Sequence, residues 1–217
     1  MHLNNHEYLY REHYIELLGY AKKFDILNFQ KTLSNTHLKL SSNSFIIDFI
    51  APFVNFIGLS WENEDISISV EHFCTDQILK FIYGINIKSY NPQGTPKVLL
   101  TTIPNEFHSI GIAMAELIIS LNGGDVLSLS SETPHSEIVS SAVISNSNIV
   151  GLSFSGHINS NHEEDSIIEI VRLLPKNIDL WVGGSPSGNK INDVKYLGLN
   201  DIQGALNEWR LNNIYLN

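Results

Sequence analysis

The chain has little cysteine and little positive charge. Its 217 residues include one cysteine, Cys74, so no disulfide can form within the chain, and a reducing cytoplasm is the expected compartment. The 13 Lys and Arg stand against 23 Asp and Glu, which gives a formal net charge of -10. An acidic chain lacks the electrostatic footprint of a DNA- or RNA-binding protein. Any influence on genes is therefore expected to pass through a partner.

Long hydrophobic runs are also missing. No window reaches the roughly 20 apolar residues that span a bilayer, and the nearest stretch, 45–59, is interrupted by Asp48, Pro52 and Asn55. The polar first 11 residues carry no apolar core of a signal peptide. With 43% hydrophobic and 17% charged residues, the composition is that of a globular protein with one large or two small domains.

The first part of the chain, residues 1–88, is predicted to be a four-helix bundle. Apolar residues recur there at helical spacing, with short loops rich in Ser, Asn and Gly between the periodic segments. The residues that mark the four helices are Tyr14, Leu17 and Leu18; Ile26, Phe29 and Leu33; Phe45, Phe49, Phe53 and Ile57; and Phe73, Ile78, Phe81 and Ile82. Two prolines and a glycine within 89–96 predict a linker after the bundle.

The remaining part, residues 97–217, alternates strands with helices. Strands are predicted at 98–102, 126–129, 149–154, 178–182 and 194–197, and helices at 109–121, 135–142, 163–174 and 202–211. This alternation predicts a doubly wound, flavodoxin-like (Rossmann-type) α/β domain with a parallel sheet in the order 2-1-3-4-5. A ligand of such a domain lies outside the carboxyl ends of the strands.

A histidine loop follows the first predicted strand. Its spacing is Glu106, one residue, His108, two residues, Gly111, and then an apolar helix. A carboxylate at this distance can hydrogen-bond one imidazole nitrogen and leave the other to ligate a metal. The alternative interpretation is that His108 is a polar loop residue or a helix cap.

Two further clusters are weaker candidates. His157 and His162 stand near the acidic run 163–165, but their spacing matches no closed metal geometry, and a solvated loop and helix start explains them better. Ser153 lies one residue off the Gly-x-Ser-x-Gly pattern of a nucleophile elbow, and a serine at a strand end is the simpler interpretation. The pair Gly183-Gly184 is, taken alone, a turn.

Together these landmarks resemble the cobalamin-binding family, whose loop reads Asp or Glu, any residue, His, two residues, Gly. The family also has Ser, any residue, Leu after the third strand, a Gly-Gly pair after the fourth, and a turn like 122–126 into the second. Here Ser153 matches, whereas Ser155 stands in place of the leucine. The resemblance implies that His108 ligates cobalt in place of the cofactor's own base. It further implies cofactor contacts from Glu106, Phe107, His108, Ser109, Ile110, Gly111, Ser153, Ser155, Gly183 and Gly184.

The helical part carries Trp61, nine residues, and then Glu71-His72. Taken alone, the tryptophan is a core residue and the pair is a solvated helix face with a favourable dipole contact. The segment resembles the helical cap of light-dependent cobalamin repressors, in which the tryptophan packs over an adenosyl group. The resemblance implies that Trp61, Ile68, Glu71 and His72 surround the upper ligand.

Two departures from that family limit the resemblance. The repressors carry an N-terminal DNA-binding domain, for which this chain is expected to have no room. Some of them also have a histidine directly after the tryptophan, where this chain has Glu62. In organisation the chain is similar to stand-alone cobalamin-binding antirepressors, which act by binding a transcription factor.

These features predict a non-enzymatic light sensor that binds adenosylcobalamin and controls transcription through a DNA-binding regulator or by self-association. Methylcobalamin and hydroxocobalamin remain alternative forms of the cofactor. One rival function is a corrinoid methyl carrier in a methyltransferase system. The other is a cobalamin or haem sensor without photochemistry, since histidine also ligates haem iron.

Overall fold

The computed structural model describes residues 9–89, 92–157 and 159–213. The chain divides between Ile87 and Lys88 into two compact units, one helical and one α/β.

The helical unit consists of four helices in the described residues: α1 (Arg11–Ala21), α2 (Ile26–His37), α3 (Ser42–Glu62) and α4 (Ile68–Ser89). Side chains cap two of them at the N-terminus. Asp25 accepts a hydrogen bond from the Asn28 N–H at the start of α2, and Ser41 accepts one from the Ser44 N–H at the start of α3. Such caps satisfy backbone donors that the first turn leaves without partners. The four predicted helices are thus all present.

A wide π turn, Phe45–Ile50, lies within α3. The Ala51 N–H donates to the Ile46 carbonyl, five residues earlier, and Pro52 follows directly. Proline has no N–H to donate and clashes with the carbonyl four residues before it, so a locally widened turn lets the helix continue.

The apolar side of α3 forms the core of the helical unit. Phe45, Phe49 and Phe53 are fully buried, and Tyr14 of α1 packs on Phe53 while its hydroxyl donates to the Phe49 carbonyl. Among the described helices, α3 alone is long and apolar enough to cross a membrane by length and composition. Burial of its aromatic residues within the unit accounts for that composition.

The α/β unit has a five-stranded parallel sheet in the order β2-β1-β3-β4-β5, as the sequence predicts. Its strands are β1 (Lys97–Thr101), β2 (Asp125–Ser128), β3 (Ile149–Phe154), β4 (Asp179–Gly184) and β5 (Val194–Leu197). Its helices are α5 (Ile110–Leu121), α6 (His135–Ile144), α7 (Ser160–Leu173) and α8 (Ile202–Asn212). Helix α5 packs with α8, and α6 packs with α7, as in a doubly wound sheet.

The sheet brings the carboxyl ends of β3 and β4 side by side. Ser153 pairs with Gly183, and Phe154 pairs with Gly184. The glycine pair therefore forms the last two residues of β4. The interpretation of this pair as a turn is wrong, because the ladder with β3 continues through both glycines.

Most element boundaries lie within two residues of the prediction. Helix α7 begins three residues earlier than predicted, at Ser160, because Asn159 caps it by accepting a hydrogen bond from the Asn161 N–H. Helix α4 continues to Ser89, the first residue of the predicted linker, and positions 90 and 91 lie outside the described residues.

Candidate functional site

A buried carboxylate joins the loops after β1 and β3. One oxygen of Glu106, Oε1, lies 2.7 Å from His108 Nδ1 and 3.0 Å from the His108 backbone nitrogen. The other oxygen, Oε2, accepts hydrogen bonds from the Ser155 N–H at 2.9 Å and the Ser155 hydroxyl at 2.8 Å. Glu106 is 0% exposed, so this one side chain holds four donors from two loops inside the protein.

The hydrogen bonds keep Glu106 ionised. Burial opposes the charged carboxylate, but the four hydrogen bonds from His108 and Ser155 outweigh burial and lower the pKa of Glu106 to about 2. An ionised carboxylate only accepts hydrogen bonds, so Nδ1 of His108 is the protonated nitrogen of the neutral ring. The Nε2 atom then carries the lone pair, which is the state that a metal-ligating histidine requires.

His108 presents its ring at the surface of the α/β unit. The side chain is 54% exposed, although the carboxylate that holds it is buried. Phe107 is 65% exposed, and Ser109 and Ile110 are half-buried at the start of α5. Ser109 stands at the N-cap without a side-chain cap bond, so His108 is one residue before the cap and is not the cap itself.

Glycine allows a close approach between α5 and the end of β3. A Cβ atom on Gly111 would collide with the Ser153 hydroxyl, so no larger residue fits without a shift. Gly111 is the glycine that the sequence motif places three residues after His108.

A second close approach lies at the end of β4. Gly184 has a φ of +87°, a conformation that L-residues with a side chain rarely adopt, and its Cβ would overlap the Phe154 carbonyl oxygen. A Cβ on its neighbour Gly183 would come within 3.3 Å of the Leu197 carbonyl oxygen. The predicted glycine residues therefore meet backbone at the same sheet edge that carries Glu106 and His108.

The remaining predicted residues belong to the helical unit. Trp61, at the end of α3, is 43% exposed, and Ile68, at the start of α4, is 55% exposed. Glu71 accepts a hydrogen bond from the Thr75 hydroxyl at 2.8 Å, and its Oε2 lies 3.5 Å from His72 Nε2. The interpretation of Trp61 as an ordinary core residue does not fit its exposure, whereas His72, 70% exposed, has the solvated position of the simpler interpretation.

Sequence reasoning missed the part played by Ser155 and Thr102. Ser155, predicted as a cofactor contact and as a departure from leucine, donates twice to Glu106. The buried Thr102 hydroxyl donates to the Glu106 carbonyl at 2.6 Å and accepts from the Glu132 N–H at 2.8 Å, which fixes the loop from the other side. No local pattern marks the contacts of Ser155 with Glu106 or of Thr102 with Glu132, because their partners lie on different loops.

The acidic run at 163–165 is not uniformly solvated, so that interpretation is wrong for Glu163. This residue is 0% exposed, and its Oε2 accepts hydrogen bonds from the N–H and hydroxyl of Ser187 and from the Gly188 N–H. His162 Nε2 lies 3.0 Å from the Pro104 carbonyl oxygen. Within residues 9–89, 92–157 and 159–213 no group of three or more His, Cys, Asp or Glu could hold a metal ion.

Comparison with known proteins gives one relative in sequence. No family model matches the chain. The HTH-type transcriptional repressor CarH of Myxococcus xanthus is 22% identical over 158 residues, which is 72% of this chain and 52% of the repressor. The chain thus spans about half the length of this relative.

The fold has a close counterpart among solved structures. The monomethylamine corrinoid protein of Methanosarcina barkeri superposes with a TM-score of 0.70 at 12% identity, over 92% of this chain and 99% of that one. A weaker likeness, with a TM-score of 0.42 at 15% identity, covers 90% of this chain and 98% of a cobalamin-binding protein from Desulfitobacterium hafniense DCB-2. The chain therefore shares the fold of a corrinoid protein, and in sequence it resembles a CarH-type repressor.

Proposed function

We propose that this chain binds a cobalamin, with His108 as the cobalt ligand, and uses it as a light sensor that controls transcription through a partner. The observation that carries the proposal is the Glu106–His108 pair, in which a buried, ionised carboxylate fixes the imidazole 2.7 Å away. The fold likeness to a corrinoid protein and the sequence likeness to a CarH repressor support the same cofactor.

The residues at the sheet edge suit a large flat metal complex with a histidine ligand. The ring of His108 is exposed, while Glu106 holds its Nδ1 atom and is itself held by Ser155. Such a carboxylate partner orients the ligand and raises its basicity. Glycines at positions 111, 183 and 184 allow neighbouring parts of the α/β unit to pack closely at this edge, and we assign the contacts to the cofactor's tail to these residues and to Ser153.

Light sensing is the finer part of the proposal and rests on the helical unit. When bound, adenosylcobalamin supplies a weak cobalt–carbon bond that light breaks. We assign to Trp61 the packing over the upper ligand, and to Ile68, Glu71 and His72 the contacts around it. Exposed apolar area on Trp61 and Ile68 is consistent with a surface that gains from covering a ligand.

The output of the sensor is assigned to a protein partner or to self-association. A ligand shifts a two-state equilibrium only by its difference in affinity for the two states. Packing Trp61 on an adenosyl group contributes a few kcal/mol, which is enough to bias such an equilibrium about a hundredfold. The formal charge of -10 favours a protein partner over nucleic acid.

The second candidate is a methyl carrier, favoured by the fold likeness to the monomethylamine corrinoid protein. The Glu106–His108 pair of this chain would hold the cofactor of a methyl carrier equally well. A bulky aromatic at position 61 would crowd the approach of a methyl acceptor, so the carrier is the less favoured function. A cobalamin or haem sensor without photochemistry uses the same ligand and is separated by the tests below.

Histidine ligation is tested first by reconstituting the chain with hydroxocobalamin in the dark. We expect His108→Ala to remove the spectrum of the histidine-ligated form and to weaken binding at least about tenfold. The matched control is His135→Ala, which removes an imidazole that pairs with Glu169 in the same unit, away from the loop that carries His108. Unchanged spectra in His108→Ala, or equal losses in both variants, would contradict the proposed ligand, and preferred binding of haem would replace cobalamin as the cofactor.

Light sensing is tested on the adenosylcobalamin complex before and after green light. We expect a protein-bound spectral change, and either a shift in gel-filtration elution or a changed affinity for a regulator. Trp61→Ala should keep histidine ligation but reduce the preference for adenosylcobalamin over methylcobalamin about tenfold. Equal affinities of the native chain for both forms, with methyl transfer between added methyltransferases, would favour the carrier.

A further inference from the structure

A second imidazole lies against His108. The ring centroids of His108 and His157 are 5.2 Å apart, and the ring planes are inclined by 37°. This distance lies within the range of about 4.5–7 Å in which aromatic rings attract each other. Both side chains are exposed, so the contact is not a by-product of core packing.

The loop after β3 aims His157 at this position. Ser155 is fixed by its two hydrogen bonds to Glu106, and Gly156 then reverses the chain with a φ of +84°. The His157 N–H donates back to the Ser155 hydroxyl at 3.3 Å. Any Cβ at position 156 would also meet the Ser185 carbonyl oxygen at 3.0 Å, so glycine is favoured there on two counts.

One carboxylate consequently organises both rings. Oε1 of Glu106 holds His108 directly, and Oε2 holds the segment that carries His157. The hydrogen bond at Nδ1 fixes the position of that atom of the His108 ring. The His157 ring packs against the His108 ring and limits its rotation about this atom.

We propose that His157 is a positioning residue for His108, which orients the imidazole so that Nε2 keeps the direction needed for cobalt. The proposal rests on the proposed function of His108 as the cobalt ligand. It assigns a role to the Ser155-Gly156-His157 segment, in which the chain departs from the family pattern after the third strand.

The test compares His157→Ala with His157→Phe, which keeps a ring but has no nitrogen. In the apo protein, the carbon-bound ring protons of His108 are followed by ¹H–¹³C NMR. We expect His157→Ala to shift the His108 resonances and to broaden them, whereas His157→Phe keeps a ring-current shift. With hydroxocobalamin, we expect His157→Ala to bind about fivefold more weakly than the native chain and His157→Phe to stay within about twofold, as a ring contact of this size implies.

The outcomes separate this inference from the proposed function. If the native chain binds hydroxocobalamin but His157→Ala matches it in affinity and in the His108 resonances, the positioning role is refuted. Equal weakening by both variants would also refute it, because a ring alone would then not suffice. If the native chain binds no cobalamin with histidine ligation, the proposed function fails, and the positioning role for cobalt fails with it.

Discussion

Replacing Glu106 by glutamine should destabilise the α/β unit by about 3 kcal/mol, although the substitution changes only one atom. The pKa of Glu106 falls from 4.5 to about 2 in the folded protein, which corresponds to about 3 kcal/mol in favour of the ionised form at 1.36 kcal/mol per unit. The neutral amide loses that contribution, since its nitrogen is a donor.

The directions of the donors around residue 106 explain why glutamine is less stable there than glutamate. The backbone N–H groups of His108 and Ser155 point at opposite oxygens of Glu106, and neither can reverse its direction. A glutamine NH₂ must face one of them, and a buried unsatisfied donor costs about 1–3 kcal/mol. The other hydrogen bonds lose their charge assistance, so both estimates give the same order of magnitude.

The measurement is urea unfolding of the apo protein at pH 7, followed by the fluorescence of Trp181 and Trp209 in the α/β unit. The matched control is Glu137→Gln, which neutralises an exposed carboxylate on α6 and should change stability by less than about 1 kcal/mol. If Glu106→Gln proves no less stable than Glu137→Gln, the four hydrogen bonds do not hold the ionised form in the way described.

The same substitution has a consequence for histidine ligation. If the amide nitrogen turns to His108, Nδ1 must accept instead of donate, and the proton moves to Nε2. That tautomer has no lone pair at Nε2 for a metal ion. We therefore expect Glu106→Gln to lose histidine ligation of hydroxocobalamin even under conditions in which the variant is fully folded.

The remaining predictions concern pH, backbone conformation and the cysteine. Because the pKa of Glu106 is lowered on folding, its contribution of about 3 kcal/mol is present above about pH 4.5 and is lost as the pH falls towards 2. The free energies of unfolding of the native protein and of Glu106→Gln should therefore become equal at low pH. A constant difference between them at every pH would contradict this. Gly184→Ala should lower the stability by more than about 3 kcal/mol, because position 184 has a positive φ and a Cβ there would overlap the Phe154 carbonyl oxygen. The control Gly204→Ala lies exposed in α8 with nothing within 4 Å, and it should raise the stability by up to about 1 kcal/mol. Thermal unfolding of both variants measures the difference. Burial raises the pKa of Cys74 to about 12, so iodoacetamide at pH 8 should label it only after denaturation, and rapid labelling of the native chain would place the thiol at the surface.

Sequence reasoning succeeded where the physical signal is local. The predicted bounds of strand β3 are correct, because a strand buried on both faces is a continuous apolar run between polar ends. The contact of Glu106 with His108 spans two residues, so spacing alone could indicate it. The contact of Glu106 with Ser155 spans 49 residues and depends on the pairing of β1 with β3, which a single sequence shows only as strand order.

The same reason explains the errors. An acidic run predicts that Glu163 is solvated, yet its partner Ser187 lies in the loop after β4, 24 residues away in the sequence. His157 reaches His108 only because Gly156 takes a left-handed conformation, and a glycine in a polar loop is compatible with many other conformations.

The π turn in α3 affects the side of the helix on which Trp61 lies. Residues four apart on an ideal α-helix drift by about 40° per step, so the series Phe45, Phe49, Phe53, Ile57 would leave one stripe after three steps. A turn closed by a bond to the fifth residue winds less per residue and opposes that drift, and all four side chains are buried. Trp61 is the next member of this series and the first to emerge from the core. Because each residue of the wide turn rotates the chain by less than the roughly 100° of an α-helix, deletion of one residue there would leave Trp61 close to its present face, whereas deletion of one residue from the regular part of α3 would rotate it by about 100° relative to the start of the helix. Changes in the length of the regular part of α3, more than substitutions beside the tryptophan, would thus turn Trp61 to a different face of the helix.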